Sequence, residues 1–169
     1  PNFPRQTFPD SSVGTPIPAG SVITLVGENP YSGNGQIYFY ALGTAASPVW
    51  VRGSDADNLA SYRKKIYVKG SYAYFEYCNL GIDAEGRRMD IAFSSHASST
   101  AHHCMARRCS GTGGGVDRGN GSVLGTVGEN STNRFNDIIY YDNNFSGFGQ
   151  WDLGLENDYH ALTASRNVD

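Results

Sequence analysis

A chain of 169 residues with 39% apolar side chains is long enough for one domain with its own core and requires no second. Its formal net charge of −3 excludes the basic field of a general nucleic-acid binder, and no run approaches the ~18 apolar residues of a membrane-spanning helix. Gly (21) and Tyr (11) are abundant, which suits short strands and turns, while three Cys are too few and odd in number for a disulfide scaffold.

Residues 1–20 hold five prolines and few periodic apolar positions, so they are expected to form an extended lead-in to a single domain over 21–169. The opening Pro1-Asn-Phe lacks an initiator Met, which marks a processed or partial chain. Ser21–Val26 is a first β-branched strand closed by Gly27. Gln36–Ala41 and Pro48–Arg52 read as a pair joined by Gly43–Ser47 and stopped by Gly53. Asp57–Lys64 is the one stretch with a helical pattern. Lys65–Lys69, Met89–Phe93 and Ser122–Val127 each lead into a recurring phrase, and Tyr159–Thr163 starts one more coil.

The phrase is Ala73–Leu80, then Cys104–Gly111, then Ile138–Phe145, with Cys78, Cys109 and Asn143 in one column at spacings of 31 and 34 residues. Irregular repeats of this length with strands and no helical period predict an all-β fold, a parallel β-solenoid whose coils stack about 4.8 Å apart. Alternation places Ala73, Phe75, Cys104, Ala106, Ile138 and Tyr140 inward, and Tyr74, Glu76, Met105, Arg107, Ile139 and Tyr141 outward. At the turn, an inward Asn143 can satisfy backbone groups that leave the ladder. Stacking also brings Cys78 and Cys109 within the Cα separation of a disulfide, while free buried Cys is the commoner reading for a small core residue.

Two segments resemble the secreted right-handed parallel β-helix proteins, a group that includes the pectate-lyase-like enzymes. Gly43-Thr-Ala-Ala-Ser-Pro-Val-Trp-Val-Arg-Gly53 is similar to a segment near the start of many of them. Asn136-Asp-Ile-Ile-Tyr-Tyr-Asp-Asn143, with Gly149-Gln-Trp151 and Asn157-Asp-Tyr-His160, is similar to their later coils. The resemblance covers about residues 20–165 and implies a right-handed parallel β-helix outside the cell or at its surface, with a polysaccharide or cell-surface glycan as partner. Its members include lyases, hydrolases, epimerases, tailspikes and adhesins, so activity must come from a site. The chain stops soon after a coil begins and shows no cap, so it is expected to be the N-terminal part of a longer β-helix.

Breaking a uronic-acid polymer by β-elimination needs a base for the proton α to the carboxylate and a cation or donor for the enolate. In the lyases the chain resembles, Lys, Arg or His take these roles, often with Ca²⁺. The matching residues here are Arg107 on the outward face, His102 beside His103 at the strand entry, and Asp158 with His160 one coil later. Their structural alternatives are an Arg107–Glu76 pair across neighbouring coils and a His102-His103 strand start. Asp55-Ala-Asp-Asn58 offers oxygens that Ca²⁺ accepts, but it lacks the Gly and distal Glu of an EF-hand and also reads as a turn. His102, His103, Cys104 and Cys109 do not have zinc-site spacing, and Gly111–Gly115 lacks the Lys of a phosphate loop, so no metal site is assigned. Outward Tyr74, Tyr141 and Trp151, with Asn157, would stack on sugar rings and bond their hydroxyls. The expected activity, if there is one, is that of a polysaccharide lyase or glycoside hydrolase, most like the lyases, and the alternative is a non-catalytic glycan-binding or structural protein such as an adhesin, filament or tailspike component.

Overall fold

In the computed structural model the described residues are 16–26, 28–29, 36–62, 65–82, 88–96, 99–112, 124–128, 136–146, 153–155 and 162–168. Their strands fall into successive rungs. The first holds β1 (Ile17–Pro18), β2 (Val22–Thr24) and β3 (Glu28–Asn29), and the second β4 (Gln36–Leu42), β5 (Val49–Arg52) and β6 (Ser61–Tyr62). The third holds β7 (Lys65–Ser71), β8 (Ala73–Glu76) and β9 (Asn79–Ile82). The fourth holds β10 (Arg88–His96), a short β11 (Ser99–Thr100), β12 (His102–Arg107) and β13 (Ser110–Thr112). Then come β14 (Leu124–Gly128) with β15 (Asn136–Ser146), and β16 (Leu153–Leu155) with β17 (Leu162–Val168).

Each strand pairs in parallel with its equivalent one rung away. One column runs β1, β4, β7, β10, β14, β16. A second runs β2, β5, β8, β12, β15, β17. The third joins β9, β13 and the second half of β15, and β3 pairs with β6 in the same sense. Antiparallel contacts of β10 with β9 and β11 are local exceptions. The result is all-β, a curled and predominantly parallel sheet.

The register matches the recurring phrase: Ala73 lies one rung from Cys104 and Cys104 opposite Ile138, and Ser110 sits between Asn79 and Asn144. All six residues expected inward are fully buried. They join Ile37, Phe39, Val49, Val51, Ile66, Val68, Ile91 and Phe93 in one core. Rings run through it in file, with centroids 5.9 Å apart for Phe39–Phe75, 6.1 Å for Phe75–Phe93 and 5.9 Å for Phe93–Tyr140. Each such pair is worth about 0.5–1.5 kcal/mol beyond the burial of its area. Close stacking also dictates glycine. Gly70 takes φ 83°, and a Cβ there would run into the Ala41 carbonyl.

Several sequence expectations change. Gln36–Leu42 and Val49–Arg52 are not partners, because the Gly43–Ser47 turn passes the chain from the first column to the second. The local turn has hairpin composition, but hydrogen bonds from Gly43 N to Ser71 O and Val49 N to Tyr72 O commit both flanks to the next rung. No helix occupies the described part of Asp57–Lys64; Ala60 bridges to Cys78 and Ser61–Tyr62 is strand. Ile17–Pro18, inside the expected lead-in, pairs with Ala41–Leu42, and residues 1–15 lie outside the described set. Cys78, Cys104 and Cys109 are all free thiols.

Candidate functional site

The second column owes its shape to its corners. Tyr72, His103 and Asp137 take φ of 50–53° where the chain enters it, and Tyr77, Arg108 and Asp142 take 50–54° where it leaves. Left-handed backbone turns the chain within one residue, at a cost of roughly 1–2 kcal/mol for a non-glycine residue. The next residue points inward each time: Ala73, Cys104 and Ile138 at one corner, Cys78, Cys109 and Asn143 at the other. These inward groups take up backbone atoms that the bend frees. Cys78, Cys104 and Cys109 donate their thiols to the carbonyls of Glu76 (3.6 Å), His102 (3.3 Å) and Arg107 (3.4 Å). Asn143 does more: its Oδ1 accepts from Cys109 N at 3.0 Å and its Nδ2 donates to Ala106 O at 3.1 Å.

The outward face between the corners carries the charged and aromatic groups. Arg52, Glu76, Arg107 and Tyr141 stand in one row across four rungs, with Trp50, Tyr74, Met105 and Ile139 in the row beside it. Glu76 is outward by register yet buried, since Arg107 Nε (2.9 Å) and Arg108 Nη1 (3.2 Å) both donate to its Oε1. The Arg107 guanidinium also lies 5.1 Å from the Trp50 ring centre, and Trp50 meets the edge of Tyr74 at 5.1 Å. Arg108 bonds the Tyr77 hydroxyl at 3.1 Å. Two guanidiniums therefore share one carboxylate against aromatic faces, and a unit of positive charge is left over for an anionic partner. Burial, and then Cys104 and Tyr72, hold the Tyr74 hydroxyl above its ordinary pKa, so it faces a ligand as a neutral group.

At the entry corner, His102 Nδ1 lies 3.0 Å from His103 Nδ1, and His103 Nε2 lies 3.3 Å from Asp137 Oδ2. Tyr72 stacks on the His103 ring at 4.8 Å and 23°. Burial, followed by the neighbouring His103, holds the His102 pKa below its ordinary value, against the pull of Asp137.

Of the residues singled out from sequence, Arg107, Tyr74 and Tyr141 come together on this face, with Tyr141 37% exposed and in register with Arg107. His102 begins the same strand five residues before Arg107, with the left-handed corner at His103 between them, so the two do not stand side by side on the face. Asp158, His160, Trp151 and Asn157 lie outside the described residues. Arg107 is committed to Glu76, which makes it a fixed cation and unsuited to act as a base. Sequence reasoning missed Trp50, Arg108, Tyr77 and Asp137 as members of the face. The signal was available in the 31- and 34-residue register, which stacks Asp137 on His103 and Arg108 on Tyr77. For Ca²⁺ the Asp55 segment does not fit: Asp55 Oδ1 already accepts from Asp57 N, Asn58 N and Asn58 Nδ2, closing a turn. Among the described residues, no three His, Cys, Asp or Glu side chains gather as a metal requires.

No family model matches the chain, and no curated protein does. A solved structure described as a mannuronic acid specific polysaccharide family 6 lyase enzyme from human gut microbiota aligns with a TM-score of 0.49 at 13% identity. The match covers 86% of this chain and 48% of that one, so the chain spans about half of its length. A likeness of that degree carries no side-chain chemistry across.

Proposed function

We propose that this protein is an extracellular, carbohydrate-directed right-handed parallel β-helix that holds a uronic-acid polymer across the outward face of the second column and cleaves it by β-elimination. The observation that carries this reading is the Trp50–Arg107–Glu76–Arg108 cluster, in which one carboxylate anchors two guanidiniums beside aromatic rings. Arg107 and Arg108 grip the carboxylate of a neighbouring uronate in the polymer, Trp50, Tyr74 and Tyr141 supply faces for sugar rings, and His102 supplies the base at the uronate that is cleaved. Asp158, His160, Trp151 and Asn157 belong to the same proposal as additional base and binding groups from the next coil.

The alternative, glycan binding or a structural role without chemistry, draws support from the same cluster, because an Arg tied to a carboxylate is built for grip. Incubating the protein with a panel of uronate polymers and following the absorbance of unsaturated product separates the two. No product from any polymer, together with retained binding on a glycan array, refutes the lyase reading and leaves the binding one. If both are blank, the structural role takes first place.

A further inference from the structure

We propose that Asp137, His103 and His102 form a hydrogen-bonded relay that leaves Nε2 of His102 as an unprotonated acceptor. The assignment follows from what each atom can do. A carboxylate only accepts, so the 3.3 Å contact places the His103 proton on Nε2, donated to Asp137 Oδ2. A neutral His103 then has a bare Nδ1, and the 3.0 Å contact requires His102 Nδ1 to donate to it. With its one proton spent on Nδ1, neutral His102 has a lone pair on Nε2. The stack of Tyr72 on His103 fixes the middle ring, and the left-handed corners of His103 and Asp137, equivalent on adjacent rungs, hold the two side chains opposite one another.

One further proton reverses the chain. A His103 imidazolium donates to both Asp137 and His102 Nδ1, and His102 turns an N–H outward at Nε2. The titratable groups set around the pair are Tyr72 on the His103 ring, Asp137 at its far nitrogen, and Cys104, whose thiol donates to the His102 carbonyl. Resting on the lyase reading, the relay gives His102 its role. The proton α to the uronate carboxylate moves to Nε2, its electron pair forms the new C=C bond, and the β C–O bond breaks with the leaving oxygen protonated by solvent. The resulting His102 imidazolium is stabilised through His103 by Asp137.

The tautomer is read directly, without substrate, by long-range ¹H–¹⁵N NMR of the full chain. His102 should be found mainly as the Nδ1–H form, and Asp137→Asn, which keeps a residue that tolerates the left-handed corner, should shift it toward Nε2–H. Diethyl pyrocarbonate, which acylates bare imidazole nitrogen, should modify His102 several-fold faster than His103, with that preference lost in Asp137→Asn. A dominant Nε2–H form of His102 in the unmutated protein at alkaline pH overturns the relay, whatever the activity. On a polymer that is cleaved, His102→Gln should lose ~100-fold or more in kcat. Asp137→Asn should lower kcat roughly tenfold at little change in KM and shift the pH profile. If the tautomer is as assigned but no polymer is cleaved, the lyase reading and the base role fall together while the relay stands.

Discussion

Asn143→Ala removes a side chain that is fully buried and occupied at both ends. The Cys109 amide loses the acceptor it meets at 3.0 Å, and the Ala106 carbonyl loses a donor at 3.1 Å. A buried donor left unpaired costs about 1–3 kcal/mol, and a carbonyl with a second lone pair costs less. The expected loss is therefore about 2–4 kcal/mol, or roughly 5–15 °C in Tm for a domain of this size. Asn143→Asp separates the two bonds. It keeps an acceptor for Cys109 N and loses the donor to Ala106 O, so its cost should fall on the carbonyl side and grow as the carboxyl ionises inside the core.

Urea unfolding gives the total, and amide exchange gives the location. Protection at Cys109 N should drop in Asn143→Ala more than at Phe75 or Phe93, which share the core but not the bond. Stacked rungs unfold with neighbour-dependent cooperativity, so the local measurement is the sharper one. A loss below about 0.5 kcal/mol with Cys109 still protected would refute the idea that the amide is what closes this corner.

Tyr140 is fully buried, and its hydroxyl has no hydrogen-bond partner among the described residues. Tyr140→Phe should consequently be neutral or stabilising by about 1 kcal/mol in urea unfolding. Burial pushes the Cys104 thiol up to about 12, and the hydrogen bond with Cys109, followed by burial, raises Cys78 well above its usual value, so iodoacetamide at pH 8 should label neither in the folded protein and both after denaturation. Glu76→Ala leaves two guanidiniums facing each other; because the Arg107 and Arg108 side chains stay 31% and 44% exposed, water offsets part of the repulsion. The stability loss should be about 1–2 kcal/mol and should shrink with added salt. His102, held below its ordinary 6.5, favours the neutral form when folded. The unfolded chain binds the extra proton first, so this stability is present above pH 6.5 and is lost as pH falls through the folded pKa; His102→Gln should flatten that part of the Tm–pH curve.

The column arrangement was legible because period-2 alternation and the 31- and 34-residue spacings both follow from stacking, and both survive in a single sequence. The role of Asn143 was legible for the same reason, since an amide in a column of small inward residues has only backbone to bond. What alternation cannot register is a bend made by an ordinary residue. Tyr72, Tyr77, His103 and Arg108 carry no glycine-like signature, yet each sits at positive φ. Nor does alternation separate outward from exposed: Glu76 points out and is 4% exposed, because its cover comes from Arg107 and Arg108 one rung away. Gly43–Ser47 misled for a related reason. A short polar turn between two apolar runs has the same composition whether it closes a hairpin or rounds a corner, and only the partner rung decides which.

The corners also explain why fold and candidate chemistry share residues. In three successive rungs a left-handed residue at a fixed place sends its own side chain outward and its successor inward, so both sets stack along the axis at about 4.8 Å. Outward stacking is what lets His103 reach Tyr72 on one side and Asp137 on the other, and Arg108 reach Tyr77. Inward stacking puts Cys78, Cys109 and Asn143 against the carbonyls and amides that the bend releases. Glycine at these corners would relieve about 1 kcal/mol of backbone strain each, but it would erase the outward ladder. Keeping Tyr, His, Arg and Asp there trades that strain for a row of charged and aromatic groups one rung apart.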